Sequence, residues 1–349
     1  MLALLAAAAH AADDPGELRL HADRLAAMGK YAEAEPVLSR LLEQQPDETI
    51  TIEALAGVYR SEGRNADAEK LYLRSIDLKE KAAGKQNPDL IPTLKALAAI
   101  YSGMGAPRNT DAERTLLRVI SVREQNRGMD DLDLASDCAA LAGFYLDRKR
   151  YAVAEPNLRR ALVIIEKRRG PADPALVPVL DSIAALYVNT KNFAAAESPL
   201  RHAISIQERV YGPNDYNVAT YLDSLAMVFY LSQRYAEAEP LYKRSLPIWE
   251  AKLGPDAPQL ATTLDNLAVV YASQEKFALA EPLYKRSLAL RQKDTVLSYS
   301  NLALALDGKG DTGAAEIQYK RAVALAEIAG DPQLLDRTRK NYAELRKKK

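Results

Sequence analysis

Residues 261–294 read ATTLDNLAVVYASQEKFALAEPLYKRSLALRQKD. Leu264, Leu267, Ala268 and Tyr271 recur at spacings of three, one and three, which places them on one face of a helix. Ala280, Tyr284, Ser287 and Leu288 do the same in the second half, after a short polar turn. The small residues Ala268 and Ala280 stand where two helix backbones must approach closely. The stretch therefore predicts a helical hairpin. One hairpin cannot bury both apolar faces, so it requires copies of itself on either side.

The copies are present. Residues 219–246 read ATYLDSLAMVFYLSQRYAEAEPLYKRSL, and AEPLYKRSL occurs identically at 238–246 and 280–288. The alanine preceding Glu in each copy falls at Ala34, Ala68, Ala112, Ala154, Ala196, Ala238, Ala280 and Ala315, in steps of 34, 44, 42, 42, 42, 42 and 35. The aromatic that closes the first helix keeps pace at Tyr59, Tyr101, Tyr145, Tyr187, Phe229 and Tyr271. These positions define an all-α solenoid of eight helix pairs over residues 16–330. Residues 331–349 read as a single capping helix, charged over most of its surface. Gly and Pro punctuate the repeats at Gly170-Pro171, Gly212-Pro213 and Gly254-Pro255, where Gly ends a second helix and Pro stops it from continuing. Residues 103–109, GMGAPRN, hold the two extra residues behind the step of 44. Pro247 lies deep in a second helix and predicts a kink or early end there, with Trp249 reoriented into packing.

The pattern resembles tetratricopeptide repeats, and its 42-residue form resembles the kinesin-light-chain subclass. The matching residues are Leu264, Leu267, Ala268, Tyr271, Ala280, Tyr284 and Ser287, with the linker Leu253-Gly254-Pro255-Asp256-Ala257-Pro258. The resemblance covers residues 17–330 and departs from the pattern in units one, three and eight. It implies a right-handed superhelix whose first helices line a concave groove for a peptide segment. It also implies a scaffold or adaptor, not a catalyst. No heptad region for a kinesin heavy chain is present.

Composition agrees with a folded helical chain. Hydrophobic residues make up 48%, charged residues 27%, and Gly only 16 of 349. Lys plus Arg balance Asp plus Glu at 47 each, so no overall field favours nucleic acid or an anionic membrane. The single cysteine, Cys138, occupies the core position of Leu180, Leu222 and Leu264 and reads as a small buried hydrophobe. His10, His21 and His202 are isolated and lack metal-ligand spacing. There is no CxxC, no GxSxG and no phosphate loop. No catalytic residue, metal or cofactor is expected.

Residues 1–11 combine an apolar run with Ala9-His10-Ala11, a small-x-small cleavage pattern, but carry no Lys or Arg before the run. The expectation is an export signal and a periplasmic or secreted chain. An Ala-rich first helix on a cytoplasmic adaptor is the alternative, and a self-assembling structural protein or an enzyme accessory subunit are others.

In the family the groove is lined by first-helix positions away from the second helices. One such row, forty-two residues apart, reads Asp181, Asp223, Asp265. Beside it run Ser182, Ser224, Asn266 and Asn301, and a further row offers Met227, Val269 and Leu304, with Tyr230 near it. Carboxylates, backbone-pairing amides and hydroxyls, and apolar anchor positions together suit a peptide partner with one or two Lys or Arg and a hydrophobic anchor. Solvated aspartates inherited together by duplicated units are the alternative reading.

Overall fold

A computed structural model describes residues 14–290, 296–329 and 332–347. Residues 1–11, read above as an export signal, lie outside the described residues. Among those described, all regular structure is helical. Seventeen α-helices run in order as α1 Pro15–Ala27, α2 Tyr31–Gln44, α3 Thr49–Ser61, α4 Asn65–Ala83, α5 Leu90–Gly103, α6 Asn109–Arg127, α7 Leu132–Asp147, α8 Tyr151–Arg169, α9 Val177–Asn189, α10 Phe193–Tyr211, α11 Tyr216–Leu231, α12 Tyr235–Leu253, α13 Leu260–Ser273, α14 Phe277–Leu290, α15 Val296–Gly308, α16 Thr312–Ala329 and α17 Pro332–Lys347. Odd-numbered helices up to α15 are the first helices of the eight predicted pairs, and α17 is the expected terminal helix. No helix among the described residues is long and apolar enough to cross a membrane.

The chain divides into two compact units, residues 1–170 and 171–349, and the boundary falls in the Gly170-Pro171 linker. Within each unit every helix packs on the next, so each hairpin buries its faces against its neighbours. The alanines that mark the repeat are sealed. Ala34, Ala68, Ala112, Ala154, Ala196, Ala238, Ala280 and Ala315 all have no exposed surface. A larger side chain there would force the paired helices apart. Cys138 is equally buried, as are the register-equivalent Leu222 and Leu264 at 1% and 0% exposure.

The hairpin turns share one conformation except that between α5 and α6, which carries a 3-10 helix at Ala106–Arg108. Gly29, Gly63 and Gly310 take positive φ, and the equivalent Lys149, Lys191, Gln233 and Glu275 do so without being glycine, at φ 56–62°. The cause is helix termination. The residue after each sends its N–H back across the turn to the last helical turn's carbonyl, as in Arg150 to Tyr145 at 2.9 Å and Arg234 to Phe229 at 2.8 Å. This closes orphan carbonyls, and it requires the left-handed residue between. The linkers between repeats pair a terminator with a start signal. Gly212, at φ 90°, ends α10, and Asp215 then caps α11 by accepting the Asn217 N–H at 2.8 Å.

The helix containing Pro247 does not end early. α12 runs through Pro240 and Pro247 to Leu253, the same 19 residues as α10 and α8. The flanking helices over-determine its path, and Ile248 remains buried after the proline.

A candidate peptide-binding groove

In unit two, the first helices α11 and α13 touch one another, as do α13 and α15, so the groove positions stand in neighbouring rows. A cavity of about 410 Å³ opens between α9 and α11. Asp181, Ala184, Ala185, Val188 and Asn189 come from α9, Leu200 from α10, and Asp223, Ser224, Met227 and Val228 from α11. Four of the residues singled out in the sequence, Asp181, Asp223, Ser224 and Met227, therefore share one site. Asp265, Asn266, Val269, Asn301, Leu304, Tyr230 and Ser182 do not line it.

The three aspartates do not share one environment. Asp223 is held by its own fold. Its carboxylate accepts from the hydroxyl of Ser245, from the indole N–H of Trp249 at 3.0 Å and from Thr263 Oγ1 at 3.0 Å. Burial nonetheless raises its pKa above the ordinary aspartate value, with the three donors pulling the other way. Asp265 is half-buried and has a partner, while its Oδ1 is buried without a hydrogen bond. Asp181 makes no hydrogen bond or ion pair with any described residue. It is open to water on one side, yet the surrounding protein raises its pKa by desolvation alone.

The polar row is also partly engaged. Ser182 and Ser224 hydroxyls donate to the carbonyls of Pro178 and Thr220 on their own helices, at 2.9 and 3.0 Å. Their oxygens keep acceptor capacity for a ligand N–H. Asn266 and Asn301 are half-buried. In the apolar row Val269 is half-buried and Leu304 is 52% exposed. Tyr230 is half-buried, with its ring 5.7 Å from that of Tyr235.

Unit one holds the same cleft two repeats earlier. A cavity of about 470 Å³ lies between α5, α6 and α7, lined among others by Lys95, Ala98, Ser102, Asp137, Phe144 and Arg148. Lys95 occupies the register position of Asp181, and here it is ion-paired with Asp137. Asp137 also receives Arg123, and both side chains are buried.

On two first helices, α3 and α11, the carboxylate at this position belongs to a node that single-helix reading missed. Glu53 accepts from Ser75 at 2.6 Å, from Lys79 and from Thr93, at separations of 22, 26 and 40 residues. Asp223 repeats those separations with Ser245, Trp249 and Thr263. The signal was present as offsets between helices, not within one.

A second repeated contact also escaped the sequence. The Glu that follows most of the marker alanines pairs with a cation at the next hairpin turn. Examples are Glu35 with Arg64 at 2.9 Å, Glu69 with Arg108 at 2.6 Å, Glu113 with Arg150 at 2.6 Å, Glu197 with Arg234 at 2.8 Å and Glu239 with Lys276 at 2.8 Å. The same cations lie over the closing aromatic, Arg64 at 3.9 Å from the Tyr59 centroid and Arg108 at 4.2 Å from that of Tyr101. Among the described residues no group of His, Cys, Asp and Glu is arranged to hold a metal ion.

The tetratricopeptide-repeat family model matches residues 48–125, 134–209, 179–251 and 216–293, and a second model of the same repeat matches 266–332. The chain belongs to the tetratricopeptide-repeat family. Repeats of this family generally mediate protein–protein contacts. Among solved structures, the chain is similar to the C-terminal part of a TPR repeat-containing protein from Cytophaga hutchinsonii, with a TM-score of 0.61 at 16% identity, over 84% of this chain and 99% of that one. It is similar to BtubC (BKLC) from P. vanneervenii, with a TM-score of 0.52 at 23% identity, over 64% of this chain and 91% of that one. A kinesin light chain of Podosopora anserina with nearly identical TPR-like repeats gives a TM-score of 0.50 at 17% identity, over 60% and 98%. At these identities the likeness shows the fold. No curated protein sequence gives a significant match.

Proposed function

We propose that this TPR protein is a non-catalytic scaffold that binds an extended segment of another protein along the first-helix face of unit two, and that it works in the bacterial cell envelope. The observation that carries the binding reading is the cleft between α9 and α11. It has apolar walls from Val188, Leu200 and Met227 and polar groups at Asp181, Asn189 and Ser224. Such a mixed, concave surface suits a segment that contributes backbone to the polar groups and side chains to the walls. The 42-residue repeat and the likeness to kinesin-light-chain proteins support placement in that subclass. The envelope reading rests on the apolar segment and the Ala9-His10-Ala11 pattern.

Isolation of partners from native extract on the immobilised protein, repeated with Met227→Arg, tests the binding reading. Loss of a partner on the variant, with its helical circular dichroism intact, is the expected result. Retention of every partner overturns it. Mass spectrometry of the purified chain's N-terminus tests export, and a mature chain starting at Ala12 is expected.

A further inference from the structure

We propose that the cleft between α9 and α11 takes a lysine or arginine side chain of the bound segment, with its cation on Asp181 and its methylene stem along Val188, Leu200 and Met227. The proposal rests on the reading of this face as the binding groove and specifies what one subsite of it recognises.

The first ground is that the three groove aspartates divide by function. Asp223 is occupied by Ser245, Trp249 and Thr263, and Asp265 already has a partner. Asp181 lines the cavity with no donor from the protein. A carboxylate in a cleft walled by Ala184, Val188, Leu200 and Met227 interacts more strongly with a cation than one in open water, because the walls displace solvent.

The second ground is the equivalent cleft in unit one. There the chain supplies a lysine of its own. Lys95 reaches Asp137 from the neighbouring first helix, and the pair sits in a cavity of comparable size. A lysine ammonium therefore fits between adjacent first helices at this level. In unit two the register-equivalent residues are Asp181 in place of Lys95 and Tyr221 in place of Asp137. The cleft has lost its internal cation and kept an anion. Gln207, equivalent to Arg123, has its Oε1 buried with no hydrogen bond to accept. Neutral Gln207 and Tyr221 stand where the closed ion pair had Arg123 and Asp137, so Asp181 keeps no cationic partner among the described residues.

The third ground is the lining itself. The walls of Ala184, Val188, Leu200 and Met227 stand beside the Asp181 carboxylate. That pairing favours a cation with an apolar stem over a bare metal ion, since carboxylate and walls meet different parts of a Lys or Arg side chain.

The test is selection of random twelve-residue peptides displayed on phage against the intact protein. Selected peptides are synthesised and titrated by fluorescence anisotropy. Each is measured against the wild type, Asp181→Asn, and two blocking variants, Met227→Arg and Ser224→Tyr, whose folding is checked by circular dichroism. Each peptide is also made with norleucine for its lysine or citrulline for its arginine. The expected result is binding that both blocking variants abolish and Asp181→Asn weakens about tenfold. The neutral peptide should bind as weakly to the wild type as the parent does to Asp181→Asn, and it should be indifferent to that substitution. Binding that is blocked by Met227→Arg but unchanged in Asp181→Asn, or a neutral peptide as sensitive as its parent, overturns the cation subsite and leaves the groove reading standing. Peptides indifferent to both blocking variants, or a selection that enriches nothing, overturn the groove reading and the subsite with it.

Discussion

The indole N–H of Trp249 donates to Asp223 Oδ2 at 3.0 Å, across the 26 residues that separate the second helix of a pair from its first. Trp249 is the sole tryptophan of the chain, so its emission reports on this one junction. With Ser245 and Thr263, which are buried to 0% and 5% exposure, it ties α11 to its own partner helix and to the next first helix.

Asp223→Ala leaves three donors facing a carboxylate that is gone, two of them out of reach of water. The expected loss is about 2–3 kcal/mol in urea unfolding, with a red shift in Trp249 emission before global unfolding. Asp181→Asn, which removes no protein contact, should leave the urea midpoint unchanged.

Acid unfolding should show two opposing contributions. Hydrogen bonds from Arg108, Arg150 and Arg234 hold Glu69, Glu113 and Glu197 below the usual glutamate value of 4.5. Their stabilisation is present above that value and is lost as pH falls through the depressed folded pKa. Asp223 is raised above 3.8 by burial, so its contribution has the opposite sign. It is fullest below the unfolded value and is lost as pH rises through the folded one. Asp223→Asn removes this opposing component. The urea midpoint of the variant should therefore fall more steeply than that of the wild type as pH drops below about 5. Parallel midpoint curves would show that Asp223 does not titrate in this window.

Glu69 and Arg108 join consecutive hairpins, with Arg108 Nη2 at 2.6 Å and Nη1 at 2.9 Å from the two carboxylate oxygens. Tyr101 adds its hydroxyl to Glu69 at 3.0 Å, and burial and that carboxylate push its pKa up to about 12. The guanidinium keeps about a quarter of its surface in water, which screens the pair. A Glu69→Gln and Arg108→Gln double-mutant cycle should return a coupling of about 1 kcal/mol, and the coupling should shrink in 1 M salt, where the Debye length falls from about 8 Å to about 3 Å.

Lys149 and Gln233 hold φ 56° and 62°, where a Cβ is strained. Their equivalents Gly29, Gly63 and Gly310 show that the turn accepts glycine. Lys149→Gly and Gln233→Gly should each raise stability by about 0.5–1 kcal/mol in thermal unfolding. The same change at Lys70, mid-helix, should lower it by a similar amount.

Cys138 has no exposed surface, and burial pushes its thiol up to about 11. It should resist iodoacetamide at pH 8 in the native state and react once urea unfolds the chain. Rapid native alkylation would contradict the core position.

Periodicity along the chain alone determined the hairpins, their number, the closing aromatics and the marker alanines, because these depend on which residues share a helical face. It offered eleven groove positions, of which Asp181, Asp223, Ser224 and Met227 share one cleft and the other seven do not line it. Of the two outcomes it expected at Pro247, the early end does not occur, since the helix runs on to Leu253. It read the turns by composition and so missed that Lys149, Lys191, Gln233 and Glu275 share glycine's conformation.

What only the tertiary structure decided was which identical-looking residues are free. Asp181, Asp223 and Asp265 stand in one register, and their surroundings come from side chains 22, 26 and 40 residues further on. Asp223 meets Ser245, Trp249 and Thr263 there, whereas Ala203, Gln207 and Tyr221 stand at the same offsets from Asp181 and none of them bonds to it. A carboxylate's charge and availability are set by the donors that surround it in space, and those donors lie on other helices.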